Sequence, residues 1–175
     1  MTYLAVCQSP VGQLHLASDG GAITGLWISG QKYFAAALEK NAAEQDLPVF
    51  HQAVNWLDAY FSKSPLPALP PLAPQGTPFR QAVWAMLQEI PYGQITTYGE
   101  LARRLRERGI SAAAQAVGGA VGHNPVSILI PCHRVVGSDG SLTGYAGGLA
   151  NKQFLLELEG VDMHGLYVPK RGTAL

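Results

Sequence analysis

The stretch PLPALPPLAPQG, residues 65–76, holds five prolines in twelve positions. Each proline fixes its own φ and removes a backbone donor, so neither a helix interior nor a central strand can run through it. Dense proline also makes a spacer stiff rather than floppy. The sequence therefore predicts an N-terminal α/β domain over 1–64, a linker over 65–76 and a C-terminal domain over 77–175. Charge divides in the same place. Residues 1–76 set Lys32, Lys40 and Lys63 against Asp19, Glu39, Glu44, Asp46 and Asp58. Residues 77–135 set Arg80, Arg103, Arg104, Arg106, Arg108 and Arg134 against Glu89, Glu100 and Glu107. The excess of positive charge in the middle segment is all arginine, the better phosphate ligand because its planar fork matches the oxygens. A solvated helix face would carry the same charges.

At 47% hydrophobic the chain can build a core and is not a disordered tail. No apolar run approaches the length of a membrane span. No basic start leads into an apolar stretch, as a signal peptide would. Cys7 and Cys132 are too few for a disulfide framework. The expectation is a soluble, cytoplasmic, reduced protein.

YLAVCQSPVGQLHLAS reads as two strands around a Ser9–Gly12 turn, with Leu14 and Leu16 alternating against Gln13 and His15. AITGLWIS reads as a third strand, so the N-terminal sheet is expected to be antiparallel. KYFAAALEKNAAEQ, residues 32–45, reads as a helix. PVFHQAVNWLDAYFSKS reads as another, with Phe50, Val54, Leu57 and Phe61 on one face. Beyond the linker, Thr77 suits an N-cap and Pro78 the first helical position. Phe79, Val83, Leu87 and Ile90 form the apolar stripe of that helix, and Pro91 stops it. Thr97 and Glu100 form a capping box for a helix ending at Gly109. Ser111 caps the next segment, SAAAQAVGGAVGHNP. Helix, short turn, helix is the layout of a helix-turn-helix. The last helix is nearly all Ala and Gly. It is either a tightly packed interior helix or one whose backbone must come close to another molecule.

VSILI reads as a buried strand that ends at Pro131 and presents Cys132. Free cysteines are mostly inert core residues, and Cys7 reads that way. Cys132 abuts His133 and Arg134, and a thiol becomes a nucleophile only as thiolate, which a basic neighbour promotes. Adjacent residues on an extended chain point to opposite faces, so His133 needs a bend after Pro131 or a bridging water to act. Downstream, Glu157 and Glu159 sit in the last turn of a helix, where the macrodipole disfavours carboxylates. Solvent exposure would account for both. Alternatively Glu159 has an imidazole partner, giving an acid–base–nucleophile relay. Between them lies GYAGG, residues 144–148, whose backbone can approach a ligand closely.

PCHRVVGSDGSLTGYAGGLANKQFLLELEG resembles the active-site region of the O6-alkylguanine-DNA alkyltransferases. TPFRQAVWAMLQEIPYGQITTYGELARRL resembles the first part of their DNA-binding domain, and SPVGQLHLAS adds a weaker likeness in the first half. The resemblance implies an α+β fold, with a small N-terminal α/β domain and a mostly helical C-terminal domain bearing a winged-type helix-turn-helix. It implies a single-use repair protein that flips an alkylated base out of duplex DNA. The O6-alkyl group of guanine, or the O4-alkyl group of thymine, passes irreversibly to its own cysteine. By position, Cys132 is the acceptor, His133 its base through water, and Glu159 the residue orienting His133. Asn124 ties the helix-turn-helix to the site. Tyr98 helps rotate the nucleotide and protonates the departing guanine. Val135, Tyr145, Ala146 and Gly147 contact the substrate, Tyr145 and Ala146 through backbone N–H. Ala113, Ala114, Gln115, Ala116 and Gly118 lie on the recognition helix, which enters the minor groove. The implied partner is duplex DNA, the protein a monomer, and no cofactor or metal is required. His15, His51 and Cys7 are not at ligand spacing.

One position departs from the family. Gln115 stands where most relatives carry the arginine that fills the space left by the flipped base, so slower flipping is expected. Other readings compete. A lesion-binding relative without transfer would lack the cysteine that is present here. A helix-turn-helix regulator with a redox-sensing cysteine leaves Tyr98, Asn124 and Glu159 without a role. Cysteine hydrolysis leaves the DNA-binding helices without one.

Overall fold

The computed structural model describes residues 1–32 and 42–170, which form two compact units. The first comprises Met1–Gln75 together with Pro125–Leu129. Its sheet has the order β3-β2-β1-β4, with β1 at Tyr3–Ser9, β2 at Gly12–Ser18, β3 at Ile23–Ile28 and β4 at Ala43–Glu44. The expected alternation is real: Leu14 and Leu16 are fully buried, while His15 between them is half-buried. α1, Pro48–Phe61, packs Phe50, Ala53, Trp56, Leu57 and Tyr60 into the core. The sheet is not wholly antiparallel, because β4 pairs parallel to β1. Most of the helix expected over 32–45 lies outside the described residues, and its end, Ala43–Glu44, is strand.

The outer edge of β3 would be a row of unpaired backbone groups. Two extended segments satisfy it. Pro71 accepts a hydrogen bond from the Ile23 amide at 2.8 Å, and the Ala73 amide donates to the Ile23 carbonyl at 2.8 Å. The proline-rich stretch 65–76 thus reaches the edge of β3 through an acceptor, which proline retains, and a donor from a non-proline residue. Farther along, the Leu26 amide donates to Pro125 (2.8 Å) and the Ser127 amide to Leu26 (2.9 Å).

VSILI is buried as expected but is not a strand. Only Val126 bridges. Ile128 has φ +71°, and the Leu129 amide closes onto the Ser127 carbonyl at 2.8 Å. That is a γ-turn with positive φ, a strained conformation for a β-branched residue. Burial of Ile128, only 1% exposed, offsets the strain.

The second unit comprises Gly76–Asn124 and Ile130–Leu175. α2 (Pro78–Leu87), α3 (Tyr98–Glu107) and α4 (Ala114–Gly122) pack on one another, and α5 spans Leu149–Leu158. Thr77 caps α2 by accepting from the Arg80 amide at 3.3 Å. α2 closes at Leu87, before the expected stop at Pro91, yet Ile90 in the following turn remains buried. Thr97 caps α3 through the Glu100 amide at 3.1 Å. The Glu100 carboxylate takes Arg103 at 2.6 and 2.9 Å, so only the threonine half of the capping box forms in the expected way. Ser111 is not the cap of α4. Ala113 occupies that position with no side-chain bond, and Arg106 steadies the approach by donating to the Ala112 carbonyl at 2.7 Å. α4 is not an interior helix. It buries Val117, Ala120 and Val121, while Ala114, Gln115, Ala116 and Gly119 are exposed. The indole of Trp84, 1% exposed, donates to the Ala120 carbonyl at 2.8 Å and anchors α2 to α4. Replacing Trp84 with Phe removes that bond and part of the ring. Urea unfolding should show a loss of about 1–3 kcal/mol.

Candidate active site

Pro131 has φ −81° and ψ 62°, and the Cys132 amide donates to the Ile130 carbonyl at 2.8 Å. This inverse γ-turn swings the chain into a single 3-10 turn, Cys132–Arg134, which replaces the strand end expected there. The turn lets consecutive side chains take different directions. β6, Val135–Val136, follows and pairs parallel with β5, Thr96–Thr97, directly ahead of Tyr98. The Cys-His-Arg turn and the start of α3 are therefore fixed to each other by a backbone ladder.

His133, Arg134 and Glu159 are brought together. The Glu159 carboxylate contacts His133 Nε2 at 2.8 Å. It accepts from Arg134 Nε at 2.9 Å and Nη2 at 2.8 Å, and from the Gly93 amide at 3.3 Å. Arg134 Nη1 donates to the Ile90 carbonyl at 2.7 Å. The side chains of His133 and Glu159 are fully buried. Burial works against the Glu159 charge, but hydrogen bonds from His133 and Arg134 prevail and bring its pKa to about 2. An ionised carboxylate can only accept, so His133 Nε2 carries the proton and Nδ1 is the basic nitrogen. Burial lowers the His133 pKa while Glu159 raises it, and the net direction is down. The ring is neutral in the resting state and able to take a proton.

Cys132 is 6% exposed, and burial pushes its thiol pKa up. Two neighbours oppose that shift: a hydrogen bond with the Asn124 side chain and the charge of Lys152. Asn124 Nδ2 also donates to the Ile130 carbonyl at 2.9 Å, across the turn that carries Cys132. Lys152 is fully buried on α5. Its ammonium donates to the carbonyls of Val135 and Thr143, the latter at 3.0 Å. Burial lowers its pKa to about 8, and a Cys132 thiolate acts the other way. Sequence reasoning missed Lys152, although a signal existed. Lys152, Leu156 and Glu159 are spaced four and then three residues apart, on one helix face.

Tyr98 opens α3 and donates its hydroxyl to the Thr143 carbonyl at 2.8 Å. Burial, then the proximity of Cys132, pushes its pKa up, so the phenol keeps its proton. It borders a cavity of about 550 Å³ lined by Gln115 and Gly118 on α4 and by Gly137, Ser138, Thr143 and Gly144 opposite. Gly144 has φ +86°, and a Cβ there would fall 2.5 Å from the Tyr98 hydroxyl. Of the expected substrate contacts, Val135 and Tyr145 are buried and Ala146 and Gly147 half-buried, the last three following Gly144 in the chain. Gln115 and Ala114 are exposed and line it, and Ala113 and Ala116, next to them in the chain, are exposed as well. A Cβ on Gly119 or Gly122 would meet nothing within 4 Å, so α4 offers an open backbone face.

The arginine excess is largely paired. Arg103 contacts Glu100 and Glu107, Arg104 and Arg108 share Glu89, and Arg134 holds Glu159. No cluster of metal-binding side chains exists among the described residues. Nor is any described helix long and apolar enough to cross a membrane.

Replacing Glu159 with Gln leaves Arg134 buried without a counter-charge and should cost about 3–5 kcal/mol. The native carboxylate has a depressed folded-state pKa. Its stabilisation is complete above the unfolded pKa of about 4.3 and fades as pH falls toward the folded value of about 2. The stability gap between wild type and Glu159→Gln, followed by denaturant titration, should close over that acid window.

Comparison with known proteins agrees over nearly the whole chain. The family profile described as "6-O-methylguanine DNA methyltransferase, DNA binding domain" matches residues 78–161. The profile for the "ribonuclease-like domain" of the same family matches residues 2–74. A methylated-DNA–protein-cysteine methyltransferase of Haemophilus influenzae is 46% identical, over 90% of this chain and 86% of its own. One from Methanosarcina acetivorans is 42% identical, over 90% of this chain and 98% of its own. The crystal structure of Mycobacterium tuberculosis OGT in complex with DNA superposes with a TM-score of 0.80 at 41% identity. That likeness covers 90% of this chain and 92% of the other.

Proposed function

This chain belongs to the 6-O-methylguanine DNA methyltransferase family, and from that premise we propose that it repairs duplex DNA by taking the O6-alkyl group of guanine onto Cys132. The observation that carries the assignment to Cys132 is its setting. It is a buried thiol with Asn124 and Lys152 favouring its thiolate and a neutral His133 held by Glu159 in the tautomer of a base.

In the proposed reaction His133 Nδ1 receives the thiol proton, directly or through a water. The thiolate attacks the alkyl carbon, an S–C bond forms and the C–O6 bond breaks. The electron pair leaves with the guanine, Tyr98 gives its phenolic proton to the departing base, and the proton that His133 took from the thiol returns to the tyrosinate through water, so the thiol hydrogen ends on the guanine. Burial ensures that the phenol carries its proton in the resting protein. A thioether has no easy reverse path, so one molecule acts once. Asn124 and Lys152 lower the cost of ionising the sulfur, and Arg134 keeps Glu159 ionised.

The target base enters the cavity lined by Tyr98, Gln115, Ser138 and Gly144 after flipping from the duplex. The recognition element is α4, second helix of a helix-turn-helix with α3, entering the minor groove with Ala113, Ala114, Gln115, Ala116 and Gly118. Small residues let the backbone approach closely, and a shallow base readout suits a protein that must accept any sequence. The N-terminal unit is a separate domain, the protein acts as a monomer, and its workplace is the reducing cytoplasm.

The test is direct. Incubate the protein with a duplex containing O6-methylguanine, digest it, and weigh the Cys132 peptide. The expected result is a gain of one methylene in stoichiometric amount, with guanine restored. An unmodified peptide beside intact lesion would sink the reading, and a parallel O4-methylthymine duplex defines the substrate range. Gln115→Arg should raise the single-turnover rate by filling the vacated stack more effectively. An unchanged rate would show that Gln115 does not limit flipping.

A further inference from the structure

The second unit has a small apolar cluster apart from its main core, made of Val136, Leu142, Leu156 and Val161, with Met163 and Leu166 packed against it. Three of these six belong to the chain after α5. That tail turns back along the loop 137–142. The Tyr167 amide donates to the Gly140 carbonyl at 3.0 Å, and the Leu142 amide donates to the Tyr167 carbonyl at 2.9 Å. The Tyr167 hydroxyl donates to Asp139 at 2.6 Å, and the Ser141 amide donates to the same carboxylate at 3.0 Å. At Gly140, φ +89°, a Cβ would overlap the Gly165 carbonyl oxygen. Tail and loop backbones therefore touch with no room between them.

The opposite side of this loop faces the cavity beside Tyr98. Gly137 and Ser138 line the cavity as the chain enters the loop, and Thr143 and Gly144 line it as the chain leaves. Within the loop, Gly137 accepts from Gly140 at 3.0 Å and donates to Ser141 at 2.8 Å. The outward amide of Leu142 and carbonyl of Gly140 are satisfied by the tail.

We propose that the tail Val161–Tyr167 clamps this wall of the cavity, with Tyr167 the positioning residue that sets how large an O6 substituent is admitted. The proposal rests on the reading that this cavity receives the alkylated base. Thr143 is held by Tyr98 and Lys152, so the slack of this wall lies in 138–142, the part the tail holds. Releasing the tail lets Ser138–Leu142 move outward and makes room for a bulky group more than for a methyl.

The experiment uses the full chain and two duplexes of one sequence, carrying O6-methylguanine or O6-benzylguanine, with single-turnover transfer rates measured for each. The variants are Tyr167→Phe, which removes one hydroxyl, and Gly140→Ala, which forces tail and loop apart. The benzyl-to-methyl rate ratio should rise about threefold or more in Gly140→Ala and by a smaller factor in Tyr167→Phe. Methyl transfer by Tyr167→Phe should stay within about twofold of wild type. A merely structural contact would lower both rates together and leave the ratio alone. An unchanged ratio in both variants overturns the clamp. If Gly140→Ala does not fold, the ratio in Tyr167→Phe decides. A wild-type protein that leaves both lesions intact overturns the repair reading instead.

Discussion

A carboxylate sealed from water must have its oxygens fully occupied, and Glu159 meets that demand by drawing two other chain segments to itself. His133 and Arg134 reach it from one side and the Gly93 amide from another. Because Arg134 also grips the Ile90 carbonyl, the turn after α2 is held to the turn that carries the thiol. The tautomer of His133 follows from the same carboxylate. β6 begins immediately after Arg134, so the ladder with β5 continues directly from the residue that holds the carboxylate. Two cationic or protonated partners on one anion is an arrangement that replaces lost hydration with fixed dipoles. It also makes removal of any single member expensive.

Around Cys132 two tendencies oppose each other. Burial disfavours the thiolate, while Asn124 and Lys152 favour it. Burial has the larger effect, so the resting sulfur is a thiol, and its nucleophilic form has to be made by removing a proton. Lys152 favours the thiolate from a position that is itself costly. Its ammonium is satisfied by the carbonyls of Val135 and Thr143, which flank the loop 137–142. The cation that tunes the sulfur is also a fastener for the cavity wall.

Much of this was legible in the sequence. Alternation at Leu14 and Leu16, the Thr77-Pro78 start of α2 and Thr97 ahead of α3 all expressed local rules, and local rules were enough. The Glu159 partner could be suspected because a carboxylate near a helix C-terminus goes against the macrodipole. What misled were places where long-range burial overrides local preference. VSILI has every propensity of a strand, yet Ile128 adopts positive φ because its side chain is wanted in the core. Ser111 has the chemistry of a cap, but the helix begins where Arg106 can hold Ala112. Lys152 was passed over because a lone lysine on a helix is normally solvated, and its four-then-three spacing to Leu156 and Glu159 was the one sign of an inward face.

The pairing of the arginines on and beside α3 bears on how such a surface meets a polyanion. Affinity for nucleic acid is driven mainly by releasing condensed counterions, and its steepness with ionic strength counts the cations placed on phosphates. Here Arg103, Arg104 and Arg108 already face carboxylates of their own chain. Each would have to exchange an internal partner for an external one, so fewer ions are liberated than the tally of basic residues suggests. A surface of this kind depends less steeply on added salt than its arginine count suggests.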